Sequence, residues 1–115
     1  MQISDNKTVQ EIQREFSEKF ENLKLEFYTS AHEAAEGSPA DQQIDPSRTI
    51  GEIRTIHKEG DIGINGHLKV QTLEEQFAEN YGLNVQVFRR SGDIWLQTTS
   101  TDDWTLSDQN RRGHK

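Results

Sequence analysis

Val70-Gln-Thr-Leu-Glu-Glu-Gln-Phe-Ala-Glu-Asn-Tyr81, followed by Leu83-Asn-Val-Gln-Val87, decides the fold, because the same pattern occurs earlier in the chain. The earlier copy is Thr8-Val-Gln-Glu-Ile-Gln-Arg-Glu-Phe-Ser-Glu-Lys-Phe20 followed by Leu23-Lys-Leu-Glu-Phe27. Val9, Ile12, Phe16 and Phe20 match Val70, Leu73, Phe77 and Tyr81 at one constant offset, and the strands match after a one-residue gap. Apolar residues three and four apart share one helical face, and alternating ones share one face of a strand. The duplicated helix-strand unit therefore predicts an α+β, two-layer sandwich, with helices packed on one face of a mainly antiparallel sheet.

Local signals set the boundaries. Thr8 with Glu11 is a capping box, and Thr49 with Glu52 is a second one. Ile50, Ile53 and Ile56 fit a short helix by spacing, while their β-branching suits a strand equally. Gly60-Asp61 is a turn, and Ile62 and Ile64 begin a short strand. The second long helix covers 70–81, with Gly82 where a left-handed cap is wanted. Thr105 with Asp108 caps a last short helix, Leu106 to Arg112, closed by Gly113. The expected core is Ile12, Phe16, Phe20, Leu25, Phe27, Leu73, Phe77, Leu83, Val85, Val87 and Leu96.

The alternating runs on either side of Ser91-Gly92 predict a β-hairpin. A two-residue turn at Ser91-Gly92 sets Arg90 opposite Asp93, Phe88 opposite Trp95 and Val87 opposite Leu96. Val85, Val87, Ile94 and Leu96 then face the helices. The other face carries Tyr28, Phe88, Arg90 and Trp95 among polar residues. A cross-strand aromatic pair that simply stabilises the hairpin accounts for Phe88 and Trp95. An interface accounts for them too, and for leaving Tyr28, Arg90 and Trp95 toward water, since Tyr, Trp and Arg recur in binding hot spots. A one-residue slip exchanges the two faces.

Composition bounds the rest. At 115 residues, the chain is read as one domain, 1–115, with one core. Only 30% of residues are hydrophobic, so the core is thin, part of the chain is unpacked, or a partner adds buried area. The segment 30–47 holds both prolines and little apolar matter, and reads as a mobile loop, with an Ala-rich short helix around His32–Ala35 as the alternative. The net charge of −7 argues against duplex nucleic acid and an anionic membrane surface. Residues 1–47, with four Lys/Arg and ten Asp/Glu, carry −6 of it. The basic end, Arg111-Arg112-Gly113-His114-Lys115, reads as a frayed solvated terminus. No apolar run is long enough to cross a membrane, and no signal peptide is visible, so a cytoplasmic protein is expected.

Chemistry-bearing patterns are sparse. The chain has no cysteine, which removes disulfides and thiol catalysis. His32, His57, His67 and His114 lack a helical metal-pair spacing, so no metal and no cofactor are expected. Glu74, Glu75 and Glu79 read as the solvated face of the second helix. Asp102-Asp103 reads as a helix start with favourable dipole partners. A small enzyme or ligand-binding site at Asp102, Asp103 and His57 is the alternative, should folding bring them into one cleft.

The runs Val85-Gln-Val-Phe-Arg-Arg-Ser-Gly92, Ile94-Trp-Leu-Gln-Thr-Thr99 and Asp103-Trp-Thr-Leu106 resemble small bacterial α+β proteins of no assigned function. The resemblance covers residues 8–28 and 68–110 and brings no catalytic residues. By analogy, the arrangement is similar to ferredoxin-like and other two-layer sandwiches, which host many activities. The expectation is a non-catalytic binding or assembly module. Its contacts are Tyr28, Phe88, Arg90 and Trp95, and its partner is a second copy, as a dimer, or another protein.

Overall fold

Each helix begins where a polar turn meets an apolar residue that is fully buried: Val9, Ile50, Val70 and Leu106. A computed structural model describes residues 1–29 and 40–115. Its elements run β1 (Gln2–Ile3), α1 (Val9–Lys19), β2 (Leu23–Tyr28), α2 (Ile50–Ile53), β3 (Gly60–Asp61), α3 (Val70–Tyr81), β4 (Asn84–Ser91), β5 (Ile94–Gln97) and α4 (Leu106–Arg112). The fold is α+β, with β2, β4 and β5 forming an antiparallel sheet in that order.

Helix starts leave backbone N–H groups without intrahelical partners. Here they are satisfied in reciprocal pairs. The Val9 N–H donates to the Arg48 carbonyl at 2.9 Å, and the Ile50 N–H donates to the Lys7 carbonyl at 2.7 Å. The same exchange joins α3 to α4: Val70 N–H to Trp104 carbonyl at 3.0 Å, Leu106 N–H to Leu68 carbonyl at 2.8 Å. The next residues repeat it, with Gln10 donating to Pro46, Gly51 to Asp5, Gln71 to Asp102 and Ser107 to Gly66. The duplication therefore includes a short second helix in each unit, α2 in the first and α4 in the second. Both capping boxes, Thr8 with Glu11 and Thr49 with Glu52, are formed. The Thr105 hydroxyl accepts from the Asp108 N–H, whereas Lys69 gives α3 no side-chain cap.

Leu23, Leu25 and Phe27 of β2 and Val85 and Val87 of β4 share one sheet face. They form one core with Val9, Ile12 and Phe16 of α1 and Val70, Leu73 and Phe77 of α3. Phe27 and Phe77 meet edge-on, with centroids 6.0 Å apart at 85°. Of the alternatives for 50–56, α2 is helical, with Ile50 buried and Ile56 exposed. Ile62 and Ile64 are buried, but the ladder lies just before them: β3 pairs with β1, a strand the periodicity did not predict.

The expected loop 30–47 divides. Residues 30–39, and with them the alternative helix around His32–Ala35, lie outside the described residues. Residues 40–47 are tied to the end of β2, with Thr29 N–H donating to Gln42 and Ile44 N–H to Phe27, at 3.0 and 2.8 Å. The basic end is docked, which corrects the frayed-terminus reading. Asn22 Nδ2 donates to the Asn110 and Gly113 carbonyls, both at 3.1 Å. His114 N–H donates to the Arg90 carbonyl, and Gly92 N–H to the His114 carbonyl.

Candidate functional site

The hairpin turns one residue later than expected. Ser91 pairs with Ile94, Arg90 with Trp95, Arg89 with Leu96 and Phe88 with Gln97. The loop is Gly92-Asp93, and Gly92 takes φ 61°, which glycine adopts without steric cost. Each pair moves by two positions, an even number, so every side chain keeps its predicted face. Phe88 and Trp95 become diagonal neighbours, and Arg90 stands opposite Trp95 with no ion pair to Asp93 among the described residues.

On this face Trp95 is held between cations. Lys24 Nζ lies 5.0 Å from its ring centroid and Arg90 Cζ 5.8 Å. Lys24 also lies 5.2 Å from the Phe88 centroid. The expected open aromatic platform is corrected in part. Tyr28 is 2% exposed and Phe88 8%, with Gln86 at 0% between their rows, while Trp95 and Arg90 are half-buried. Gln43 Nε2 donates to the Tyr28 hydroxyl at 3.2 Å, and burial pushes the Tyr28 phenol pKa up.

The other face of β5 departs further from expectation. Leu96, placed in the core, is 38% exposed, and Ile94 is 58% exposed. With Ile56 they are the exposed large hydrophobics among the described residues. The helical layer stops at β4, and β5 projects past it. Opposite Leu96 stands Arg89, whose Nη1 donates to Gln109 Oε1 at 2.7 Å and whose guanidinium lies 5.6 Å from the Trp104 ring. Arg112 approaches the same ring at 5.3 Å, so Trp104 pins α4 to the hairpin.

The two sheet edges are treated differently. Along β2, Gln13 Nε2 donates to the Leu25 carbonyl at 2.8 Å and Ser17 Oγ to the Leu23 carbonyl at 3.0 Å, so α1 blocks that edge. Among the described residues, β5 is the terminal strand on the other side. Its outward groups follow from the ladder. Arg90 turns its N–H to Asn22 and its carbonyl to His114, away from β5. Arg90 and Trp95 are therefore a non-hydrogen-bonded pair, and the Trp95 N–H and C=O point to the open edge.

Where β5 leaves β4, polar groups finish the ladder. The Val87 N–H donates to Glu74 Oε2 at 3.1 Å, and the Val87 carbonyl accepts from the Thr98 N–H and hydroxyl at 3.2 and 2.9 Å. Glu74 is buried, not on the solvated face with Glu75 and Glu79 as periodicity suggested. Sequence reasoning missed it because adjacent glutamates on a helix look alike until the strand end beneath one is known.

The alternative constellation is not assembled. His57 Nδ1 lies 3.2 Å from Asp5 Oδ2, and Arg54 Nε donates to Asp5 Oδ1 at 2.7 Å. Arg54 Nη2 lies 2.5 Å from the same oxygen; the geometry is that of an ion pair, not a second directed hydrogen bond. Burial pushes the Asp5 pKa up, but hydrogen bonds from His57 and Arg54 and their charge together hold it below the usual carboxylate range. Asp102 is buried and receives the Gln71 N–H on its carbonyl, while Asp103 is exposed. Neither contacts His57.

Among the described residues, no group of three His, Cys, Asp or Glu could hold a metal ion, and no helix is long and apolar enough to cross a membrane. The chain matches no protein-family model, no curated protein and no solved structure.

Proposed function

We propose that this chain is a non-catalytic binding and assembly module that self-associates through β5. One observation carries the reading: an edge strand that presents Ile94 and Leu96 to water on one side and a cation-flanked Trp95 on the other. Natural proteins usually blunt such edges with charge, proline or cover, as α1 does for β2 here. The contact set narrows from the expected one. Trp95 and Arg90 remain available, Ile94 and Leu96 join them, and Tyr28 and Phe88 support the face from within. A cysteine-free chain fits a cytoplasmic setting.

The alternative, an enzyme or ligand site at Asp102, Asp103 and His57, has less behind it, because His57 is engaged by Asp5. Solution mass across a wide concentration range tests the proposal, comparing wild type with Ile94→Asp combined with Leu96→Asp. Both positions are exposed, so the variant keeps its fold. A wild-type dimer that this variant dissociates supports the reading. A wild type that stays monomeric at the highest concentration removes self-association.

A further inference from the structure

We infer that the partner is a second copy docked by antiparallel β5–β5′ pairing about a two-fold axis through the Trp95 pair. This rests on reading β5 as the contact strand, and adds its register and symmetry.

Three constraints limit the register, and side-chain cover selects one. A two-fold axis normal to the sheet makes neighbouring strands antiparallel and keeps each face continuous. Residues opposite each other must then have the same parity, because side chains alternate between faces. The outward backbone groups must also meet, and in β5 these belong to Trp95 and Gln97. Axes on Trp95, Leu96 or Gln97 satisfy all three, and only the axis on Trp95 sets the exposed Ile94 against the exposed Leu96 in both copies. The two Trp95 residues exchange N–H···O=C bonds, and Ile94 faces Leu96 of the partner, twice.

The side chains are complementary in this arrangement. Ile94 and Leu96, exposed in one copy, cover each other across the pair on one face. On the other face the two indoles meet, each flanked by its own Arg90 and Lys24. No like charges are brought opposite, since Asp93 faces Gln97. The two Arg90 residues stand three strand spacings apart, about 14 Å. That exceeds the screening length of about 8 Å at physiological salt. The result is a continuous sheet ordered β2-β4-β5-β5′-β4′-β2′. Both copies carry −7, so added salt should strengthen the pairing.

Cysteine cross-linking tests the register directly, because the chain has no cysteine of its own. In the proposed register Ile94 and Leu96 of opposite copies are non-hydrogen-bonded neighbours, with Cα atoms about 4.5 Å apart. That is within disulfide range. The homotypic pairs, 94 with 94 and 96 with 96, are diagonal at about 7–8 Å, outside it. Single variants Ile94→Cys and Leu96→Cys leave Trp95 in place. Under mild oxidation an equimolar mixture should form covalent dimer at least about tenfold faster than either variant alone. Equal rates for mixed and homotypic pairs would overturn the register. A dimer by mass that gives no mixed cross-link would overturn β5 pairing while leaving self-association standing. A chain that is monomeric throughout would remove the underlying reading itself.

Discussion

Replacing Glu74 by alanine isolates the junction between α3 and the end of β5. The Val87 N–H sits in the buried centre of the sheet, and Glu74 Oε2 accepts from it at 3.1 Å. The β4–β5 ladder ends at Phe88–Gln97, and at Val87 the Glu74 carboxylate takes the place of a strand carbonyl. Orphaning a buried N–H costs about 1–3 kcal/mol. For 115 residues the melting entropy is about 0.24 kcal/mol/K. The loss should lower Tm by about 4–12 °C. Glu75→Ala, one residue away and exposed, should stay within about 0.5 kcal/mol of wild type, or about 2 °C. Glu74→Gln keeps an acceptor for Val87 and should fall between the two. Calorimetric melting of the three variants at pH 7 is the assay. Equal melting of Glu74→Ala and Glu75→Ala would refute the reasoning, because the two would then be solvated alike.

Other consequences follow from the same geometry. Gly82 and Gly92 both have positive φ, but a Cβ on Gly82 would lie 2.3 Å from Thr55 Oγ1, whereas Gly92 faces open space. Gly92→Ala should cost about 1–2 kcal/mol from the backbone alone and Gly82→Ala clearly more, read as chemical denaturation midpoints. Phe16→Ala and Phe77→Ala each empty a fully buried site and should cost about 3–5 kcal/mol. Asp5, Asp45 and Glu52 all have pKa values held below their ordinary range. Their stabilisation is present above the unfolded values and is lost as pH falls through the lowered folded ones. The Tm gap between wild type and Asp5→Asn should therefore narrow from pH 6 to pH 3; a gap that widens on acidification would contradict the Asp5–Arg54–His57 contact.

Much of the fold is legible in the sequence because it is local. The spacing of Val9, Ile12 and Phe16 and the Thr8–Glu11 cap need no knowledge of the rest of the chain. The pairing of helix starts is not legible, because Val9 meets Arg48 through backbone groups whose direction no side chain reports. The hairpin faces are readable from alternation, but its register is not, since Ser91-Gly92 and Gly92-Asp93 are both acceptable turns. A positive φ at Gly92 suits both, and the pairing of Ser91 with Ile94 distinguishes them. At the candidate site, Trp95 and Arg90 are legible as face partners. The exposure of Ile94 and Leu96 is not, because it depends on where the helical layer ends. Tyr28 and Phe88 look like an open platform in sequence, and burial removes them from it.

Amide exchange at Trp95, followed as protein concentration rises, reports pairing through β5 without a substitution. Its N–H points away from β4, while those of Ile94 and Leu96 point into the ladder. Ile94 and Leu96 should be protected at every concentration, whereas Trp95 should exchange freely when dilute and gain at least about tenfold protection as the dimer forms. A Trp95 amide that still exchanges at the open rate at the highest concentration would contradict pairing through β5.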